Sequence, residues 1–318
     1  MFAVYASHAD ADQPLDALVV GERPTPEPAP GWARVRVRAA SVNHHDVWTL
    51  RGVGISADRF PMILGCDAAG VDEAGRDVVV HSVIGTGADE TLDPRRTLLS
   101  EFHQGTFADY VMVPERNVLP LPPELTAVEA ACLPTAWLTA YRMLVTRGRV
   151  RAGETVLVQG VGGGVATACI MLARALDLRV WVTSRDPGKG ERALGIGADE
   201  VFASGARLPE RVDVVMETVG AATWEHSIKS LRPGGRLVIS GATTGANPPA
   251  QLSHIFFRQL EVIGSTMGTR EELVALIDLC RTTGLRPLID EVVPMKAASE
   301  ALTRVAAGDV FGKIVLTR

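Results

Sequence analysis

Two stretches of this 318-residue chain carry residue types that do chemistry. The first is TVLVQGVGGGVATACIMLARAL, 155–176. Gly160, Gly162, Gly163 and Gly164 stand between an apolar run and a segment whose apolar stripe, Val165, Cys169, Leu172 and Leu176, has helical spacing. Glycines at such a turn allow positive φ and let a pyrophosphate approach the backbone. The start of the following helix adds unpaired N–H donors and partial positive charge. A strand, this turn and a helix in that order predict a dinucleotide site, with Ala166 in place of the last glycine of the usual fingerprint. The plain alternative is a tight turn with no ligand. The second stretch is Asn43, His44, His45 and Asp46. Histidine titrates near neutrality and can supply a proton. Asp46 is placed to orient one imidazole. The competing reading is that one histidine caps a helix and the other is buried and hydrogen-bonded.

The residues after the next apolar run select the dinucleotide. NAD sites place an acid near the end of the second strand, to bind the ribose hydroxyls. Ser184 holds that place here, beside Arg185 and Lys189. A bidentate guanidinium and a lysine point charge suit a 2′-phosphate, so the expected cofactor is NADP(H). Asp186 argues the other way, and a solvated surface loop is the alternative.

The elements that position these residues fall into two styles. Residues 32–39 alternate, with Val35 and Val37 on one face and Arg34, Arg36 and Arg38 on the other, which predicts a half-buried strand. Further strands are expected at 77–84 and 107–113, with a loop over 85–105. A helix is expected over 126–147. After Gly153, short apolar runs alternate with helices: 156–158, 180–182, 201–202, 212–216, 237–239 and 262–263. That pattern means a parallel sheet covered on both faces, and six strands fit a doubly wound nucleotide-binding sheet. Ligands lie at the carboxyl ends of such strands, which points to Thr218, Val219, Gly220, Ser240, Gly241 and Thr266 as cofactor contacts. Residues 286–294, a helix at 296–307 and a strand at 313–317 return to the first style. The expected fold is α/β: a β-rich domain of residues 1–122 and 286–318, and a doubly wound domain of residues 123–285.

Composition removes several function classes. The chain is 47% hydrophobic and 22% charged, the balance of an ordinary globular protein. A net charge of -5 disfavours a nucleic-acid partner. Cys66, Cys132, Cys169 and Cys280 form no CxxC pair, which disfavours a structural zinc lobe and fits a reducing, cytoplasmic compartment. No signal peptide is expected, because His8, Asp10, Asp12 and Asp16 interrupt any apolar region, and no apolar run is long enough for a membrane span.

Several motifs, in order, resemble the medium-chain dehydrogenase/reductase superfamily, most closely its zinc-independent quinone oxidoreductase branch. They are SVNHHDVWTLRG (41–52), LGCDAAGV (64–71), GTFADYVMVP (105–114), LPTAWLTAY (133–141), VLVQGVGGGVA (156–166), ETVG (217–220), PGGRLVISG (233–241) and FGKIVL (311–316). The resemblance implies a GroES-like catalytic domain, a Rossmann domain, a cofactor in the cleft between them, and a homodimer formed through the strand near Val262–Ile263. It also implies that Thr135 and Thr139 lie on a helix that approaches the cofactor. Zinc members of the family keep metal ligands at the positions of Asn43, Cys66 and Thr135, and here only Cys66 is a soft ligand. The loop 85–105 has no cysteine for a structural zinc. Trp48 stands where related reductases often have tyrosine. His81 reads as a core residue, and Lys313 reads as a cofactor contact or a surface ion pair. The implied activity is metal-free hydride transfer from NADPH to a quinone, enone or other α,β-unsaturated carbonyl, with Asn43, His44 and His45 as candidate catalytic groups, and the resemblance places the Asn43 amide to donate to substrate or nicotinamide. Two alternatives stay open: an alcohol dehydrogenase with an unusual zinc site using Cys66 and His44 or His45, and a non-catalytic NADPH-binding sensor.

Overall fold

Alternation decides the first strands. The computed structural model describes residues 1–318. β1 (Phe2–Ala6) and β2 (Leu18–Glu22) pair antiparallel. β3 (Trp32–Ser41) buries Val35 and Val37 and exposes Arg36 and Arg38, as a period of two requires. α1 (His44–Leu50) follows directly. Short strands come next: β4 (Met62–Ile63), β5 (Ala69–Val71), β6 (Asp77–Val80), β7 (Val83–Ile84), β8 (Thr97–Leu98), β9 (Tyr110–Pro114) and β10 (Val118–Pro120). Two strand limits differ from expectation. β6 stops at Val80 because Asn117 holds the chain there, its amide donating to the carbonyls of His81 and Val83. β9 begins after 107 because Gly105, Thr106 and Phe107 give their N–H groups to Ile63, Gly65 and Leu64.

α2 (Ala127–Ala130) opens on a capping box of Thr126 and Glu129. The single helix expected over 126–147 is interrupted. Pro134 lacks an N–H, and the chain passes through wide turns at Leu133–Trp137 and Arg142–Arg147 on either side of α3 (Leu138–Tyr141).

Then comes the alternating part: β11 (Thr155–Val158), α4 (Gly164–Ala175), β12 (Arg179–Ser184), α5 (Pro187–Gly195), β13 (Glu200–Ala203), β14 (Val212–Glu217), α6 (Ala221–Ser230), β15 (Leu231–Ile239), α7 (Leu252–Phe257) and β16 (Glu261–Gly264). All six strands are parallel, in the order β13-β12-β11-β14-β15-β16. Counted from β11 this is the 3-2-1-4-5-6 order of doubly wound dinucleotide folds. Its core includes Leu157, Trp181, Val215, Ile228 and Leu237.

The chain returns through α8 (Arg270–Thr283), β17 (Ile289–Pro294), α9 (Ala298–Ala307) and β18 (Lys313–Thr317). β18 pairs with β3, completing a sheet β10-β6-β5-β3-β18-β17, with β9 also on β3. Two compact units result: residues 1–138 with 267–318, and residues 139–266. These limits differ from the expected 122/123 and 285/286. α2 and α8 belong to the first unit, where Leu273, Leu276 and Ile277 of α8 are buried and Gly268 lies against Leu138. No helix is long and apolar enough to cross a membrane.

Candidate active site

In the second unit the site begins at the glycine turn. Gly160 has φ +75° and Gly162 φ +116°, values that L side chains rarely adopt. A Cβ built on Gly163 would meet nothing within 4 Å, so the turn leaves open space beside its backbone. α4 starts at Gly164, and the N–H groups of its first turn, Val165 among them, lack intrahelical acceptors. A buried polar chain holds the turn from below. Thr183 accepts from the Gly160 N–H at 3.0 Å and donates to Gln159 Oε1 at 2.8 Å. Gln159 donates to Ser227 Oγ at 2.9 Å, and Ser227 donates to Glu217 Oε2 at 2.6 Å. Glu217 in turn accepts the N–H groups of Val219 and Gly220. The sequence signal for this chain is slight: polar Gln159, Thr183 and Glu217 at the ends of apolar runs.

Beyond β12, Ser184 donates to the carbonyl of Asp186 at 2.6 Å. The Asp186 carboxylate takes the N–H groups of Gly188 and Lys189, at 2.8 and 3.1 Å, and so caps α5. Arg185 is exposed and has no carboxylate partner. Because the strands are parallel, their carboxyl ends share one edge of the sheet. That edge carries the glycine turn, Ser184, Arg185, Thr218, Val219, Gly220, Ser240, Gly241 and the exposed Thr266. Thr139 is buried in this unit, whereas Thr135 belongs to the first, its buried Oγ1 without a hydrogen-bond partner. The open turn, the free amides and the neighbouring guanidinium fit the phosphates of a dinucleotide.

In the first unit, residues 43–46 sit where β3 passes into α1. Both Asn43 amide hydrogens are engaged within the protein, on Ser41 O at 3.2 Å and on Asp67 Oδ2 at 2.8 Å. Asn43 Oδ1 accepts from Lys313 Nζ at 2.5 Å. Asn43 therefore has no amide hydrogen left for a substrate, contrary to the expectation that it donates one. His45 is also occupied: Nε2 lies 2.8 Å from Glu101 Oε1, and Nδ1 lies 3.3 Å from Cys66 Sγ. Sequence spacing offers no sign of Glu101, which is 56 residues away. Asp46 orients neither imidazole. It accepts the N–H of Asn43 at 2.8 Å and that of Gly65 at 3.0 Å, and burial raises it to about 6. Asn43, not a histidine, is the residue at the helix cap.

His44 is different. It reaches solvent and has no hydrogen-bond partner in the protein. Partial desolvation, with the charges of Lys313 and Arg51 adding to it, holds its imidazolium below the ordinary histidine range. Lys313 is neither a surface ion pair nor exposed; only 2% of it reaches solvent. His81 is a satisfied core residue, with Nε2 3.1 Å from Gly268 O.

Zinc does not fit these residues. Asn43 and Thr135 are not soft ligands, and no cluster of three histidine, cysteine or carboxylate side chains is present. A catalytic zinc takes three protein ligands, and Cys66 with His45 supplies two. The Cys66 thiol donates to Leu99 O at 3.2 Å. Burial, and then the carboxylates of Asp46 and Asp67, push it well above its usual value.

Comparison with known proteins agrees with this architecture. An alcohol dehydrogenase GroES-like domain model matches residues 29–123, and a zinc-binding dehydrogenase model matches residues 164–282. The chain is 31% identical to the spectinabilin polyketide synthase system protein NorB of Streptomyces orinoci across 95% of its own length, and spans 14% of that much longer protein. It is 28% identical to the quinone oxidoreductase of Pongo abelii, covering 92% of this chain and 90% of that one. It is 26% identical to the acryloyl-coenzyme A reductase of Metallosphaera sedula, covering 94% and 96%. A crystal structure described as an NAD-dependent alcohol dehydrogenase superposes with TM-score 0.92 at 34% identity, covering both chains completely. With a β-rich unit matching the GroES-like model, a 3-2-1-4-5-6 parallel sheet and a dinucleotide turn in one chain, the protein belongs to the medium-chain dehydrogenase/reductase superfamily of nicotinamide-dependent oxidoreductases.

Proposed function

We propose that the protein reduces an α,β-unsaturated carbonyl or a quinone with NADPH, without a metal. The observation that carries this is the state of residues 43–46: three of them are bound up in the protein, and His44 alone is free to meet a substrate. The bound dinucleotide supplies the hydride. The amides of the glycine turn and α4 would hold its pyrophosphate, and Arg185 with Lys189 the 2′-phosphate. In reduction of an enone, hydride adds to the β-carbon and the carbonyl oxygen becomes an enolate. A neutral His44 imidazole donates its N–H to that oxygen, and the α-carbon then takes a proton from solvent. Relatives named for quinones and for acryloyl-coenzyme A support the substrate class.

Loss of NADPH absorbance with a panel of quinones, enones and short enoyl thioesters tests this reading. Turnover of at least one acceptor class, unaffected by chelator, is expected. His44→Leu, which removes the donor, should lower kcat/KM about 100-fold, the scale of losing one oxyanion donor, with NADPH affinity unchanged. Oxidation of simple alcohols with no turnover of the panel, or wild-type kinetics in His44→Leu, would overturn it. We also propose a homodimer in which the outer edge of β16 meets its counterpart in a second copy, supported by the exposure of Val262 on that edge.

A further inference from the structure

We propose that the Lys313 ammonium is an internal cation that orders Asn43 and the start of α1. Lys313 is thus a positioning residue for His44, and this inference rests on the reductase reading above. The geometry is that of a filled coordination site. Lys313 reaches in from β18 and is 2% exposed. Its Nζ donates to Val42 O at 2.8 Å and to Asn43 Oδ1 at 2.5 Å, and lies 3.5 Å from Asp67 Oδ2. Asp67 is fully buried, and the same Oδ2 takes Ser41 Oγ at 2.6 Å and Asn43 Nδ2 at 2.8 Å.

The ammonium and the carboxylate therefore grip opposite ends of one amide. Reversing the Asn43 side chain would set N–H against ammonium and C=O against carboxylate. Pinning Val42 O and Asn43 also fixes the backbone from which His44 departs. Burying an ion pair seldom adds net stability, so a purely structural role is served as well by an uncharged pair. Orientation of a single group is what the charges add. Asn43 and the Cys66–Asp67 dipeptide also include two of the three places where zinc relatives keep metal ligands, and here no metal set fits.

The test uses the full-length protein. Lys313→Met leaves Asp67 unpaired and can fail to fold, so Asp67→Asn/Lys313→Met, which removes both charges, carries the experiment. We expect the double variant to unfold at the urea concentration of the wild type. Its kcat should fall about tenfold or more, while acceptor KM and NADPH affinity stay within about threefold. In Lys313→Ala, propylammonium matches the deleted atoms and should restore turnover saturably, while propanol does not. Independently of turnover, the Asn43 side-chain amide resonance, distinct in the wild type, should move to the position of a mobile amide in the double variant. A wild type that reduces no acceptor defeats the reductase reading, and the Asn43 resonance still reads the ordering. A double variant with wild-type kcat and an unmoved Asn43 resonance overturns the proposal, as does equal rescue by propanol.

Discussion

The Asp46 carboxyl takes the backbone N–H groups of Asn43 and Gly65 and is fully buried. Burial is the largest influence on it, and raises it from 3.8 to about 6 despite those hydrogen bonds and the nearby His45. The folded chain thus holds this proton more tightly than the unfolded chain. The contribution to stability is full below the unfolded value and is lost as pH rises through about 6. Relative to Asp46→Asn, the wild type should lose about 2.4 kcal/mol between roughly pH 4 and pH 7.5. Urea unfolding of both proteins at the two pH values measures this, and a difference that does not change with pH would contradict it. Arg185 belongs to the same scale. Charge-assisted hydrogen bonds contribute about 1.5–3 kcal/mol, so Arg185→Ala should weaken NADPH binding roughly tenfold to a hundredfold and leave NADH binding nearly unchanged. Equal losses for both cofactors in a fluorescence titration would refute the 2′-phosphate assignment.

At the scale of elements, the glycine turn is only as rigid as the polar chain beneath it. β11 delivers Gln159, β12 delivers Thr183, and one hydroxyl joins them to the Gly160 N–H. Thr183→Val keeps the volume, leaves the buried Gln159 Oε1 unpaired, at about 1–3 kcal/mol, and takes the acceptor from the half-buried Gly160 N–H. A lower Tm is expected, with NADPH and NADH weakened by similar factors, because both share the pyrophosphate. That equal loss separates the variant from Arg185→Ala; discrimination between the two cofactors in Thr183→Val would show that the turn does not depend on this bond. The helix expected over 126–147 shows the converse case. Its apolar spacing is helical, yet Pro134 and the wide turns around α3 break it, since spacing reports which face is buried and not how the backbone closes its hydrogen bonds.

At the scale of the whole molecule, the six-stranded sheet ends on β16 with no strand on its outer edge. Val262 there is 42% exposed, and the neighbouring segment α7 exposes Leu252, Phe256 and Phe257, the last at 78%. An open edge beside apolar side chains invites pairing. Val262→Asp should convert a dimeric wild type into monomers in sedimentation velocity, without loss of the unit's cooperative unfolding. A wild type that sediments as a monomer removes the proposed interface.

The fold class, the strand–turn–helix at 155–176, the six-strand alternation and the lack of a soft metal ligand at 43 and 135 are readable in the chain alone, because each of these is a matter of local pattern or residue identity. Tertiary structure decided the roles within those patterns. In the chain Asn43 and His45 were catalytic candidates, as His44 was, and Asp46 was placed to orient an imidazole. Asn43, His45 and Asp46 became structural groups only when Asp67, Glu101, Gly65 and Lys313 arrived beside them, Lys313 from 270 residues away. The same holds for α2 and α8, whose apolar faces suit either unit and are buried in the first. Periodicity is written along the chain, whereas the partner of a buried polar group is set by which distant elements the sheet brings together. His44 stands out as a candidate only after every neighbour's partner is known.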